Sequence, residues 1–177
     1  MTKIETPRLI LRQWEDRDRE PWIAMNADPR VMEFFPSVYG RARSEEVLRA
    51  MQRGLDAHGY GWWAVELKST GEFAGIAAID DVRYDVPFEP RREVGWRFRA
   101  EMWGNGYATE AAVAALDFAR SLGWDSIVAF TAAQNVRSRR VMERLGMTRD
   151  AREDFDHPRI DEGHPLRRHV LYRKTLR

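Results

Sequence analysis

Trp103-Gly104-Asn105-Gly106-Tyr107-Ala108-Thr109-Glu110-Ala111 is the stretch on which the fold turns. It separates an alternating, strand-like segment, Arg92 to Arg99, from an alanine-rich segment of high helix propensity, Glu110 to Ala119. Two glycines with only Asn105 between them let the main chain approach a ligand closely. The helix start that follows offers unpaired N–H groups and the positive end of the helix dipole. A strand, such a loop and a helix together suit a pyrophosphate, with Thr109 able to add a hydroxyl; a tight turn is the plain alternative. A Walker loop is excluded, because no Lys-Ser or Lys-Thr follows the glycines. A dinucleotide fingerprint would need a third glycine and an early strand.

Further along, Gln134 to Met147 opens with Asn135 and Ser138, one helical turn apart just after a strand-like run, so both can face one cleft. Asn135 could equally do no more than N-cap the helix, for which Asn is favoured.

Outward from these two stretches the chain alternates cleanly. A first strand is expected over Arg8–Trp14 and a short helix from Asp16 to Asn26. Asp28-Pro29 predicts a second short helix through Phe35, stopped by Pro36. A longer amphipathic helix should begin at Ser44, bury Val47, Leu48, Met51 and Leu55, and close at Gly59 and Gly61. Gly61–Lys68 and Glu72–Ile79 flank Ser69-Thr70-Gly71, a hairpin signal. Tyr84–Pro90 reads as a loop, Ser126–Thr131 as a strand, Val136–Leu145 as a helix ended by Gly146, and Arg167–Arg173 as the last strand. No repeat or linker divides the chain, so residues 1–177 form one α/β domain with a mixed, mostly antiparallel sheet.

The composition narrows the function. Hydrophobic residues make up 44% and charged residues 32% of 177 residues, as in a globular domain able to bury its own core. Lys+Arg (29) and Asp+Glu (28) nearly cancel to +1, which removes the electrostatic case for a nucleic-acid binder. There is no cysteine, and hence no disulfide framework, thiolate metal site or cysteine nucleophile. No apolar signal segment follows Met1 and no run is long enough to span a bilayer, so a cytoplasmic protein without membrane association is expected.

Taken together, Gly104 to Ala111, Asn135 with Ser138, and Leu145-Gly146-Met147 closely resemble the GNAT acetyltransferase superfamily, and more narrowly its RimJ/RimL-type branch of ribosomal-protein N-terminal acetyltransferases. Glu5 to Arg12, Glu93-Val94-Gly95-Trp96 and His169 to Arg173 share the likeness, which covers essentially the whole chain. The superfamily pattern for the pyrophosphate loop is Gln or Arg, two residues, Gly, one residue, then Gly or Ala. Those positions are Trp103, Gly106 and Ala108 here; Trp103 departs from the general pattern in a way that looks typical of the Rim-type branch. The resemblance implies a GNAT fold and acetyl-CoA as co-substrate. It places the phosphates on Trp103, Gly104, Asn105, Gly106, Tyr107, Ala108 and Thr109, and pairs the pantetheine arm with the main chain of Trp96, Arg97 and Phe98. Asn135 and Ser138 would meet the same arm, with Arg140 or Arg139 near the adenine end.

Acetyl transfer to an amine asks for a neutral nucleophile, a stabilised oxyanion and a proton for the departing thiolate, with no covalent enzyme intermediate. By the same likeness Glu93 is the candidate general base, directly or through water, and Ser138 the candidate general acid. Their plain alternatives are a strand carboxylate paired with Arg91 or Arg92, and a serine bonded within its own helix. His157, His164 and His169 lie among carboxylates, open to three readings. They are a metal site, an acceptor-site loop that helps to deprotonate the amine, or a structural loop whose histidines bond carboxylates, with the last favoured and no metal assigned. Trp14, Trp22, Trp62 and Trp63 read as core or rim, with Trp62 or Trp63 a candidate wall of the acceptor pocket. The acceptor would be a protein N-terminus or a small-molecule amine. The competing functions are a non-catalytic acyl-CoA sensor and the same fold with another donor, such as succinyl-CoA. Exposed edge strands leave a homodimer open.

Overall fold

The computed structural model describes residues 2–177. Among them the order of elements is β1 (Ile4–Glu5), β2 (Leu9–Arg12), α1 (Arg19–Ala27), α2 (Arg41–His58), β3 (Trp62–Leu67), β4 (Phe73–Asp81) and β5 (Arg92–Phe98). There follow α3 (Tyr107–Ser121), β6 (Ser126–Ala132), α4 (Val136–Arg144), β7 (Thr148–Arg149), β8 (Phe155–Asp156) and β9 (Arg168–Thr175). The strands form one sheet in the order β1-β2-β3-β4-β5-β6-β9-β7, with β8 also on β9. Among the described residues every pairing is antiparallel except that of β5 with β6.

That exception positions the site. β4 and β5 are paired without interruption from Gly75↔Phe98 to Asp81↔Arg92. β5 and β6 share a single bridge, Glu93↔Val128, and then part. A cleft therefore lies between Trp96–Phe98 and Ala129–Thr131. It opens at the glutamate.

Two faces of the sheet are packed differently. Trp63, Ala77 and Trp96 lie in register across β3, β4 and β5, and Trp63 meets Phe118 of α3 edge-on with ring centroids 5.6 Å apart. Ala111, Ala112, Ala115 and Ala119 of α3 are fully buried, and their small side chains let the helix lie close on the strands. On the opposite face Trp22 of α1 is fully buried against Trp14, 5.2 Å centroid to centroid, and Phe73 completes the cluster. One ionic group is built into the core: Arg12 bonds both oxygens of Asp18 at 2.7 and 3.0 Å and Glu66 at 2.7 Å, so its charge is paired where it is buried.

Several expectations are corrected. Residues 29–35 form a turn, not a helix: Val31 and Met32 both donate to Asp28 O, and two prolines bracket a stretch too short to propagate. α2 starts at Arg41, a turn before Ser44, which is buried inside it and bonded to Asn26 and Trp22. α3 begins at Tyr107, earlier than Glu110. The expected first strand, Arg8–Trp14, is shortened to β2 (Leu9–Arg12), and β1, β7 and β8 are two-residue strands too short to carry a pattern.

Candidate active site

The glycine loop is preorganised. Gly104 and Gly106 have φ of 80° and 79°, left-handed values that only glycine adopts without strain. Gly106 is the N-cap of α3 and offers no side chain to the helix start. Glu110 N–H closes the first turn on Gly106 O, which leaves the N–H groups of Tyr107, Ala108 and Thr109 without a protein acceptor among the described residues. The loop is held from outside by Arg8, a residue the sequence did not single out for this role. Its Nε donates to Glu110 Oε2 at 2.6 Å, its Nη1 to Asn105 O at 2.9 Å, and its guanidinium lies 4.7 Å over the Tyr107 ring. Glu110 also accepts from Thr6 Oγ1 and the Arg8 N–H, so the β1–β2 turn is tied to the start of α3. Asn105 turns its amide inward, donating to Met102 O and Trp103 O at 3.2 Å, and so shapes the loop.

Along β5 the main chain has two sides. Arg99 N–H donates to Ala74 O, and Arg91 O accepts from Val82 N–H, so odd-numbered residues turn their main-chain groups to β4. Trp96 and Phe98 therefore present theirs to the cleft, whereas the Arg97 main chain, expected on the pantetheine arm with them, is spent on β4. Phe98 O is taken by the Trp103 indole N–H at 3.0 Å. The Trp96 groups have no partner among the described residues. Trp103 thus ties the start of the glycine loop to the end of β5.

Asn135 is the helix N-cap: its Oδ1 accepts from Ser138 N–H at 3.1 Å and its Nδ2 donates to Thr131 Oγ1 at 3.0 Å. One amide hydrogen remains for a ligand. Ser138 is half-buried, Arg140 is exposed, and Arg139 Nη1 bonds Ala133 O at 3.1 Å. Arg137, not anticipated, lies 4.4 Å over Trp103 and 5.6 Å over Phe34 and pairs with Glu33 at 2.6 Å, joining α4 to the 29–39 segment.

Glu93, Gly95 and Arg97 share the face of β5 opposite α3. Glu93 has no ion-pair or hydrogen-bond partner among the described residues: Arg91 is engaged with Glu89 and Asp85, and Arg92 lies 4.7 Å over Trp124. Burial, followed by the charge of Asp80 directly across the ladder, pushes the Glu93 carboxyl up to about 8. Trp62, Ala78 and Gly95 run in register across this face, and the indole of Trp62 lies so close over Gly95 that a Cβ there would meet its Cη2 at 2.6 Å. Trp62 is half-buried; Trp63 is core.

The histidines differ from expectation. His157 Nε2 meets Tyr84 Oη at 3.1 Å, its Nδ1 accepts from Arg159 N–H, and its ring is 4.8 Å from His169, whose Nδ1 meets Arg167 O. His164 Nδ1 accepts from Leu166 N–H. Their partners are main chain and a phenol, not carboxylates, because Asp154 and Asp156 are drawn to Arg149, Arg167 and Arg168. Burial first, then His169 and Arg159, pushes His157 down to about 4, so it is neutral at pH 7.

Comparison with known proteins gives the family. Residues 8–148 match the model of the acetyltransferase (GNAT) domain. The chain belongs to the GNAT acetyltransferase family. It is 35% identical over 150 residues to the uncharacterized protein YkkB of Bacillus subtilis, covering 82% of this chain and 85% of that one. The GNAT-family acetyltransferase of Bacillus anthracis superposes with a TM-score of 0.81 at 25% identity over 99% of both chains. A ribosomal L7/L12 alpha-N-protein acetyltransferase, RimL, solved with coenzyme A, has a TM-score of 0.76 over 98% of each chain; at 14% identity it shares the fold alone. The protein is an acyl-CoA-dependent acetyltransferase, with acetyl-CoA as co-substrate. No helix among the described residues is long and apolar enough to cross a membrane.

Proposed function

We propose that the protein acetylates a primary amine by direct attack on acetyl-CoA, with Glu93 as general base and Ser138 as general acid. The observation that carries this reading is the place of Glu93: a half-buried carboxyl, without a partner among the described residues, at the one bridge where β5 and β6 separate. A base raised to about 8 is strong enough to take the proton of an ammonium made more acidic by the same desolvation. Glu93 passes the ammonium proton to solvent; as the N–C bond forms and the C–S bond breaks it receives the second amine proton, directly or through one water, while Ser138 Oγ gives a proton to the leaving sulfur and is reprotonated from solvent. The Trp96 main chain orients the pantetheine arm together with Asn135. The loop from Trp103 to Thr109 holds the pyrophosphate, and Arg140 lies toward the adenine end. The absence of cysteine supports direct transfer. The acceptor is a small-molecule amine or a protein N-terminus.

Titration calorimetry with acetyl-CoA, CoA and succinyl-CoA, followed by turnover of Glu93→Gln and Ser138→Ala, tests the assignment. Both variants should bind acetyl-CoA and lose about 10²–10⁴ in kcat; unchanged turnover in both removes these roles.

A further inference from the structure

On the acceptor face of β5, four residues beyond Glu93, stands a second group with an unmet need. Arg97 is half-buried and forms no ion pair among the described residues, although this chain pairs most of its arginines. Its guanidinium is clamped between two aromatic rings, 5.0 Å from the centroid of Trp22 and 4.9 Å from that of Phe35. Cation–π contacts use the faces of the guanidinium and leave its edge donors unspent. Of those, Nη1 meets only the Met32 sulfur at 3.0 Å, a weak acceptor. Nε and Nη2 have no protein acceptor among the described residues, and neither is sealed from solvent. A partly buried charge held in place by rings and given no counter-ion is costly to the empty protein. Its fork is the geometry that a carboxylate accepts in two parallel hydrogen bonds.

The rest of the face is charged in the opposite sense. Asp80 and Glu93 stand side by side across β4 and β5, with Trp62 laid over Gly95 between them and Arg97. This face of β5 thus runs from a carboxylate end, past the Trp62 indole, to a cationic end. We infer that the acceptor is a small zwitterion of the amino-acid class, its amine toward Glu93 and its carboxylate on Arg97. This rests on the acetyl-transfer reading above and narrows it: the residue at a peptide N-terminus carries no carboxylate of its own backbone for Arg97 to bind. Burial brings Arg97 down to about 10, which leaves it charged at neutral pH and able to serve.

The test is thiol release from acetyl-CoA with matched acceptors at one pH: α- and ω-amino acids, the carboxamide of each, and a peptide amide with a free N-terminus. A carboxamide has the more acidic ammonium and so more free amine, which makes any preference for the acid a binding effect. At least one acid should exceed its carboxamide and the peptide by about tenfold or more in kcat/KM, mostly through KM. Arg97→Gln should bring the acid-to-carboxamide ratio close to one, and Arg97→Lys should recover part of it. Acids and carboxamides used equally by the unmodified enzyme, or the peptide preferred to every acid, overturn the inference while leaving acetyl transfer standing. Acetyl-CoA binding with no amine acetylated overturns both.

Discussion

Asp80 and Glu93 face each other directly across the β4–β5 ladder, two carboxyl groups in register at the mouth of the cleft. Two like charges this close cannot both be held cheaply out of water, and Glu93 carries the larger consequence. It must be ionised to act as a base, so kcat/KM should rise with pH and level off above about 8. Asp80→Asn removes the opposing charge and should move that rise to lower pH; an unmoved profile would assign the titration elsewhere.

The same carboxyl links pH to stability. Its folded pKa of about 8 lies above the ordinary 4.5, so the folded state holds the proton more tightly than the unfolded chain does. That contribution is fully present below about 4.5 and is lost as pH rises toward 8. Glu93→Gln, neutral at every pH, should therefore unfold at a higher temperature than the parent at pH 9, by about 2–4 °C for each kcal/mol relieved. The difference should vanish near pH 4. Thermal melts at the two pH values check the sign, while the same variant loses activity.

Gly95 gives room to Trp62. An added Cβ would lie 2.6 Å from the indole Cη2 and 3.2 Å from Cζ3, and a rigid ring must tilt to relieve it. Gly95→Ala should therefore cost about 1–3 kcal/mol and raise the acceptor KM. Its acetyl-CoA affinity should change far less, because the Gly95 main chain faces β4, not the cleft. Calorimetry beside steady-state kinetics separates the two effects.

The parts of the site legible in the sequence were those in which backbone demands residue types. Gly104 and Gly106 announce left-handed turns, and Asn135 with Ser138 announces a cap one turn long. The alternation from Arg92 to Phe98 places Glu93 and Arg97 on one face of a strand. What could not be read were side-chain partners brought from far away. Arg8 meets Asn105 from 97 residues off, and Trp62 lies over Gly95 only because a hairpin and a ladder bring them into register. The partners of the loop histidines escape the sequence for the same reason: the neighbouring carboxylates are claimed by Arg149, Arg167 and Arg168. The short helix over 29–35 failed because Asp28 caps a single turn as readily as a helix, and only length decides between them.

Gly106 caps α3 with φ of 79°, and a Cβ there would make ordinary contact with Arg8 Nη2 at 3.6 Å. Space is available, so Gly106→Ala suffers from backbone conformation alone, about 1–2 kcal/mol. If the loop holds the pyrophosphate by its N–H groups, that strain should turn them and weaken acetyl-CoA binding about tenfold or more. Replacing Thr109 by Ala removes only a hydroxyl and should weaken it less.

Asn135 fills two offices that substitution can separate. Its Oδ1 caps α4 on Ser138 N–H, and its amide nitrogen bonds Thr131 with one hydrogen to spare. Asn135→Ala removes both and should cost about 1 kcal/mol of stability. Asn135→Ser restores a capping oxygen, and stability with it, but has no amide to offer the pantetheine arm. Were the residue only a cap, Asn135→Ser would bind acetyl-CoA as the parent does. With the spare hydrogen donated to the arm, Asn135→Ser should melt near the parent temperature and still bind several-fold more weakly, by about the 0.5–1.5 kcal/mol of one neutral hydrogen bond. Melting temperature and dissociation constant measured on the same three proteins decide between the two.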